Sequence, residues 1–368
     1  MIDRSSMEMQ VQPQTAARMK CMRRADHAPN GAGVTLNDVA AHAGVSRATA
    51  SLVLRQTGRV SEATRERVRA SMSALGYVPD RGAAALRNHT SNTVGVVVTN
   101  LANPFFGELL HGLEKSLAAA GFACLLVDTS DDPDAQDAAV RELRGHKVAG
   151  LAIVPATGTT AEFPASLQEL GLPFVFMTRY LPGTPAPYVG ADDVLGGNLA
   201  ARHMIDVHNA TTIAYVGGPI GMLSRENRIG GVKRAMADAG IAATSLHEFP
   251  SETSGAGGLQ AGRELIDSGL RPDVIICHSD SVAFGVYRAL RLHGLADDIA
   301  VTGYDDVATA ALWEPPLTSI STHGTELGHR AAAHLLEQLA GGNPQLVQRT
   351  TPEIAVRQSC GCPAQSIG

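Results

Sequence analysis

The sequence predicts a small all-α segment followed by a larger α/β core of two lobes, each built on a doubly wound parallel sheet. Three observations carry that expectation. Short, individually capped helical stretches crowd residues 34–79. From residue 93 onward, short apolar runs alternate with amphipathic stretches of helical length, the pattern of parallel sheets covered by helices. Charge divides at the same place: of 30 Lys+Arg and 36 Asp+Glu, residues 1–92 hold 13 and 7, a net of +6, and residues 93–368 hold 17 and 29, a net of −12. The overall charge of −6 therefore averages two unlike parts. A chain of 368 residues exceeds one ordinary core, and 44% hydrophobic with 18% charged residues is a globular composition.

Residues 1–33 mix Pro, Gly, Gln and Arg without periodicity and read as a disordered extension, whose RMKCMRR run is a solvated basic tail. Thr35 and Asp38 have capping-box spacing and open LNDVAAHA, which Gly44 ends. Ser46 caps RATASLVL, which stops near Gly58; Ser61 caps EATRERVRASMSALG, closed by Gly76 and Pro79. Val39, Ala40, Ala43, Val45, Ala50, Val53, Val68, Met72 and Leu75 are spaced to meet in one small core. Beyond it, VGVVVT (94–99), FACLLV (122–127), LAIVP (151–155), FVFM (174–177), TIAYVGG (212–218), VIIC (274–277) and IAVTGYD (299–305) read as strands, with helices such as 105–120 and 225–239 between them. A TIM barrel would give a similar alternation, but the length suits two doubly wound lobes better. No apolar run is long enough to span a bilayer, the first residues lack a secretory signal, and five scattered cysteines suit a reducing cytoplasm.

VTLNDVAAHAGVSRATASLVL has the spacing of a helix-turn-helix, whose second helix can enter the major groove with its first residues against the bases. Residues 34–81, followed by AAALR (83–87), resemble the DNA-binding headpiece of the LacI/GalR family of bacterial transcription regulators. LANPFF (101–106), NRIGG (227–231), HSDSVAFG (278–285), TGYDD (302–306) and PPLTSI (315–320) resemble that family's effector-binding core, which is similar to periplasmic sugar-binding proteins. The resemblance runs in order through residues 34–358; SLVL, GRVS and ALR resemble the branch holding the maltose-regulon repressor. It implies a headpiece at 34–79, a hinge helix and linker at 80–92, and a two-lobed effector-binding and dimerisation core at 93–358. Lobe one would comprise about 93–191 and 321–344, lobe two about 192–320 and 345–358, with 359–368 as a tail.

The same resemblance assigns roles to residues. Arg47 and Ala48 take the exposed positions at the start of the recognition helix; an arginine there can grip guanine O6 and N7, worth about 1–3 kcal/mol of discrimination. Ala48 can only meet an apolar group such as a thymine methyl. Leu52 stands where many members carry an arginine, so the operator sequence does not carry over. Thr35, Ser46, Thr49, Ser51, Arg55, Ser61 and Thr64 are placed for phosphate, while the serines and Thr35 also serve as caps. Arg65, Arg67 and Arg69 read as a solvated helix face. In the hinge, Leu86 would wedge into the minor groove, Ala83 would let two hinge helices approach, and Arg81 would meet phosphate; a plain linker helix is the alternative.

In the core, the resemblance places a ligand between the lobes. Phe105 or Phe106, opening a helix after the first strand, would face a sugar while the other packs in the core. Arg228 and Asp280 match the family's ligand-binding Arg and Asp, and Arg179 and Arg225 would add charge, with surface salt bridges as their alternative. Three inward arginines would favour an anionic or phosphorylated ligand over a neutral sugar. SETSGAG (251–257) lacks the aromatic that several sugar-binding members place there. Trp313 is expected to pack, and Asp192 and Asp305 lie within reach of the cleft.

No dinucleotide, P-loop, nucleophile-elbow or HExxH motif occurs. Cys360-x-Cys362 has no second cysteine pair, and no histidine pair at metal spacing has a third ligand in sight, so neither metal nor cofactor is expected and the protein reads as no enzyme. The reading is a cytoplasmic repressor, binding a pseudo-palindromic operator as a homodimer and controlled by a sugar, sugar phosphate or similar metabolite. No leucine heptad follows residue 340, which argues against a tetramerisation segment of the kind some members of that family carry. A corepressor-dependent regulator, an activator, or a carbohydrate-binding protein with an incidental basic N-terminus are the alternatives.

Overall fold

The computed structural model describes residues 34–78 and 91–363, which belong to two separate compact units. The extension at 1–33 and nearly all of the expected hinge, including Arg81, Ala83 and Leu86, lie outside the described residues.

In the first unit, α1 (Leu36–Ala43), α2 (Arg47–Leu54) and α3 (Glu62–Leu75) begin and end where their caps predict. Thr35 and Asp38 form a reciprocal capping box, and Ser46 accepts from the Thr49 N–H at 3.1 Å. Ser61 makes no such bond; its hydroxyl pairs with Thr64 instead, 2.9 Å away. Val39, Ala40, Ala43, Ala50, Val53 and Val68 form the buried centre, with Val45, Met72 and Leu75 packed against it. Arg65 departs from the solvated-face expectation: it donates to the carbonyls of Val60 and Gly58 and ties the loop after α2 to α3.

The second unit holds two six-stranded open sheets, which excludes a barrel. The first contains β1 (Thr93–Val98), β2 (Ala123–Asp128), β3 (Gly150–Ile153), β4 (Phe174–Met177), β5 (Tyr188–Ala191) and β11 (Val347–Thr350), in the order β11-β5-β4-β3-β1-β2 and all parallel. The second contains β6 (Ile213–Val216), β7 (Leu246–Phe249), β8 (Val274–Cys277), β9 (Ala300–Asp305), β10 (Thr318–Ser321) and β12 (Glu353–Ala355), in the order β12-β10-β9-β8-β6-β7. Only β12 runs antiparallel in it.

Because side chains alternate along a strand, each sheet feeds two cores. In the first sheet, Val94, Val96 and Val98 meet α4 (Pro104–Ala119) and α12 (Gly324–Leu339), while Val97 turns to α5 (Pro133–Gly145) and α6 (Phe163–Glu169). In the second, α9 (Gly255–Asp267) and α10 (Asp280–Leu292) cover one face, and α7 (Asp193–His208) and α8 (Leu223–Asp238) cover the other. Helices α4 and α12 approach through glycine: a Cβ on Gly112 would strike the Thr325 carbonyl, and one on Gly328 that of Leu109. A short helix, α11 (Ala308–Leu312), follows β9.

Three connections join the sheets: after β5, after β10, and between β11 and β12. Two expected boundaries change. Residues 347–350, expected in lobe two, pair with β5 in the first sheet, so the last crossing lies at 351–352. Residues 359–363, expected to begin a tail, are packed against the second lobe. Ser359 donates to the Val301 carbonyl at 2.6 Å and accepts from the Thr318 N–H at 2.8 Å, and Cys360 is only 1% exposed. Trp313 packs as expected, stacked on Phe284 at 4.3 Å between ring centroids.

Candidate DNA-binding face and ligand cleft

In the first unit, the start of α2 presents Arg47 and Ala48 to solvent, with Leu52 and Arg55 exposed further along it and Thr49 and Ser51 half-buried. Thr35 and Ser61 are exposed and Thr64 is half-buried at the starts of α1 and α3. Helix N-termini carry unpaired N–H groups and a partial positive charge, and residues 34–78 hold six arginines against three carboxylates. One of those carboxylates, Asp38, is bound into the α1 cap. The unit thus carries a net positive charge and exposes the starts of its three helices.

In the second unit, the carboxyl ends of strands from both sheets face a cavity of about 430 Å³. This is where doubly wound folds place ligands. From the first lobe come Thr99 and Asn100 after β1, Phe105 and Phe106 from α4, Asp128 and Asp131 at the end of β2, and Arg179 after β4. From the second come Arg228, Asp193, His278 and Asp305, with Glu252, Thr253 and Ser254 at the rim. The lobes also touch directly: Asn100 donates to the Thr253 carbonyl at 3.4 Å, and the Ala308 N–H to Glu108 at 3.2 Å.

Both arginines in the wall are already matched. Arg228 Nε donates to Asp193 Oδ1 at 2.8 Å, Nη1 donates to the His278 carbonyl, and the guanidinium lies 3.5 Å from the centre of the Tyr304 ring. The Tyr304 hydroxyl donates to the same Asp193 oxygen at 3.0 Å. Burial opposes the charge on Arg228, yet Asp193, Tyr304 and Asp305 hold it firmly protonated. Arg179 is paired with Asp131 and also donates to the Pro155 carbonyl at 3.2 Å. Asp128 accepts the backbone N–H groups of Leu101 and Ser130, each at 2.9 Å.

Asp305 and His278 are held close to neutrality. Burial pushes the Asp305 carboxyl up to about 7, although Arg228 and Asn103 favour its charge. Burial, then the neighbouring Arg228, Arg179 and Arg225, push His278 well below its usual range. Two buried hydroxyls in the wall, Thr99 Oγ1 and Thr322 Oγ1, find no hydrogen-bond partner among the described residues. Strained backbone gathers here as well: Ser130, Asp131, Thr178 and Asp305 all line the cavity at positive φ, between 50° and 99°. Such conformations persist where surrounding structure enforces them, commonly at ligand sites. The arrangement is a polar, acid-rich cleft that can both donate and accept hydrogen bonds, flanked by the Phe105–Phe106 edge-to-face pair.

A family model described as bacterial regulatory proteins of the lacI family matches residues 35–80, and one described as periplasmic binding proteins and sugar binding domain of the LacI family matches residues 91–356. The chain belongs to the lacI family. Like other lacI-family proteins it is a DNA-binding transcriptional regulator with a two-lobed, periplasmic-binding-protein-like core. It is 33% identical over 324 residues to the ribose operon repressor of Escherichia coli (strain K12), covering 86% of this chain and 95% of that protein. It is 31% identical over 329 residues to the transcriptional repressor PurR of Photobacterium profundum, covering 88% and 98%. Among solved structures, the lac repressor dimer bound to operator and the anti-inducer ONPF matches with a TM-score of 0.80 at 26% identity, over 89% of this chain and 99% of that one.

The lacI-family cleft of this chain holds Phe105, Phe106, Arg179 and Arg228 of the residues named from sequence, and both phenylalanines reach the wall rather than one. Two others are corrected. Arg225, three residues before Arg228, is 6% exposed and turns away to Glu248 at 3.0 Å and to the Gly217 carbonyl, so it lines no part of the cavity. Asp280, the first residue of α10, is fully buried behind the wall, where it accepts from the Val307 N–H at 2.8 Å and the Ser319 hydroxyl at 2.6 Å. It shapes the turn after Asp305. Asp192 caps α7 by accepting from Leu195, and the cavity is lined by its neighbour Asp193 instead. Sequence reasoning did not single out Asp128, Asp131, Asp193 or His278; the available signal was a polar residue at or just past the end of an apolar run.

Proposed function

We propose that this lacI-family chain is a repressor that binds a pseudo-palindromic operator as a homodimer and releases or tightens its grip when a neutral, polyhydroxylated ligand occupies the cleft. The charge inventory of the cavity carries the choice of ligand. Of the five carboxylates that line it, Asp131 and Asp193 cancel the two arginines and Asp305 is held close to neutrality, which leaves Asp128 and Glu252 with no cation against them in the wall. An anionic ligand would enter a field that opposes it. A sugar hydroxyl can donate to a carboxylate and accept from a guanidinium at once. With Arg225 removed from the wall, the case for a phosphorylated ligand loses its third arginine. The likeness to the ribose operon repressor supports a pentose as the first sugar to test.

On the DNA side, Arg47 reads a guanine, Ala48 and Leu52 make apolar base contacts, and Thr35, Ser46, Thr49, Ser51, Arg55, Ser61 and Thr64 meet phosphate. The ligand is bound and released unchanged, acting only through its different affinity for the two lobe arrangements. The test is thermal denaturation of the full chain with ribose, other neutral monosaccharides, their phosphates and purines, followed by gel shift on the DNA upstream of its own gene with each binder. A native-state ligand raises the melting temperature. Stabilisation by neutral sugars with a matching change in operator affinity is expected; stabilisation by phosphates or purines alone would overturn the ligand assignment, and turnover of the bound sugar would overturn the regulator-only reading.

A further inference from the structure

The packed segment after β12 brings Cys360 and Cys362 against His203 and His208, at the C-terminal end of α7. The four side chains offer ligand atoms that all lie within 4.8 Å of one another. We propose that this cluster is a tetrahedral zinc site that clips the C-terminal segment to the second lobe.

Geometry carries the proposal. Tetrahedral zinc holds sulfur at about 2.3 Å and imidazole nitrogen at about 2.0–2.1 Å, which sets a nitrogen-to-sulfur edge of about 3.6 Å. Here His203 Nε2 lies 3.3 Å from Cys360 Sγ and 3.7 Å from Cys362 Sγ, and His208 Nε2 lies 3.3 Å from Cys362 Sγ. The two imidazole rings lie side by side, edge to face with centroids 5.3 Å apart. Gly361, at φ +95°, gives the reversal that points both cysteines to one side. The Thr318 hydroxyl donates to Cys360 Sγ at 3.1 Å, the kind of outer partner that fixes a metal-bound thiolate. A cleft of about 380 Å³, lined by His208, Cys360 and Gly361, offers an entry path.

The chemistry of the donors selects the metal. Two thiols and two imidazoles suit a borderline-soft divalent ion rather than magnesium or calcium, which take oxygen. Both thiols give up their protons on binding, so Zn²⁺ and two thiolates make a neutral centre and two protons leave to solvent. All four positions are filled by protein, the mark of a structural site rather than a catalytic one.

The experiment uses the reduced, full-length chain stripped with a chelator and titrated with Co²⁺, then Zn²⁺. One equivalent of Co²⁺ should give the intense visible bands of a tetrahedral, thiolate-bound ion, and one equivalent of Zn²⁺ should abolish them. Cys362→Ser and His208→Gln, each verified as folded by circular dichroism, should weaken Zn²⁺ binding about 100-fold or more. If either variant fails to fold, protection of Cys362 in the parent chain from alkylation by Zn²⁺, read by mass spectrometry, decides instead. A weak octahedral cobalt spectrum, unchanged affinity in both variants, or equal alkylation with and without Zn²⁺ would overturn the site.

Discussion

Replacing Asp305 by Asn should make the core more stable, and by an amount that depends on pH. Asp305 ends β9 at φ +99°, lines the cleft and is 5% exposed. Burial moves its carboxyl from the usual 3.8 to about 7, against the pull of Arg228 and Asn103. Between those values the folded chain holds a proton that the unfolded chain has released. The group's full contribution is therefore present below the unfolded value and is lost as pH rises to about 7. Roughly three pH units at about 1.4 kcal/mol each give a loss of about 4 kcal/mol, complete above neutrality. Asn keeps the shape without the titration, so Asp305→Asn should match the parent near pH 4, gain about 2 kcal/mol by pH 5 and about 4 kcal/mol above pH 7. Asp280, pushed up by burial and then by Asp305, relaxes in the same direction when that charge is removed. His278 works oppositely, its contribution being present above its unfolded value near 6.5 and lost as pH falls from there toward its lower folded value, but parent and variant share it. Urea unfolding of both chains at several pH values gives the difference directly. A difference that stays flat from pH 4 to pH 8 would refute the buried, protonated carboxyl.

Four further outcomes follow from the same geometry. Arg47→Ala should relax sequence preference at one base pair at a cost of about 1–3 kcal/mol, whereas Arg55→Ala should weaken all sequences and flatten the salt dependence; gel shifts at several salt concentrations distinguish them. Arg228→Lys keeps the charge but loses the fork shared with Asp193 and His278, so ligand affinity in calorimetry should fall roughly 10-fold or more while operator binding without ligand is unchanged. Asp280→Ala strands the Val307 N–H and the Ser319 hydroxyl and should lower stability by about 1–3 kcal/mol. An undiminished melting temperature together with a lost ligand response would return Asp280 to the cleft. Gly328→Ala forces α4 and α12 apart and should destabilise by about 1–3 kcal/mol in denaturant melts, while leaving the first unit's helical core untouched.

The helix limits of the first unit were legible because caps act over three or four residues. Thr35 with Asp38, Ser46 and the left-handed Gly44 and Gly76 mark their own boundaries. Strands β1, β2, β3, β4, β6, β8 and β9 were legible because each lies in a continuous run of mostly apolar residues. Strands β5, β7, β10, β11 and β12 were not. They are three or four residues long, and β7, β11 and β12 are half-exposed edges with little apolar signal.

By itself the sequence determined the division into a basic three-helix unit and an acidic two-sheet core, the family, and the choice of Phe105, Phe106, Arg179 and Arg228 as residues of the cleft. The division rests on composition, short-range capping and periodicity, all of which act locally; the family and the four cleft residues rest on the resemblance of short motifs. Only the tertiary structure decided which charges face the cleft. Arg225 turns to Glu248 on β7, and Asp280 turns to Ser319, 39 residues away on β10, while Asp305 and Asp193 take the places in the wall. It also decided that His208 and Cys362, 154 residues apart, share one cluster. A charged or metal-binding side chain points toward whichever partner relieves its desolvation, and these partners arrive from distant parts of the chain.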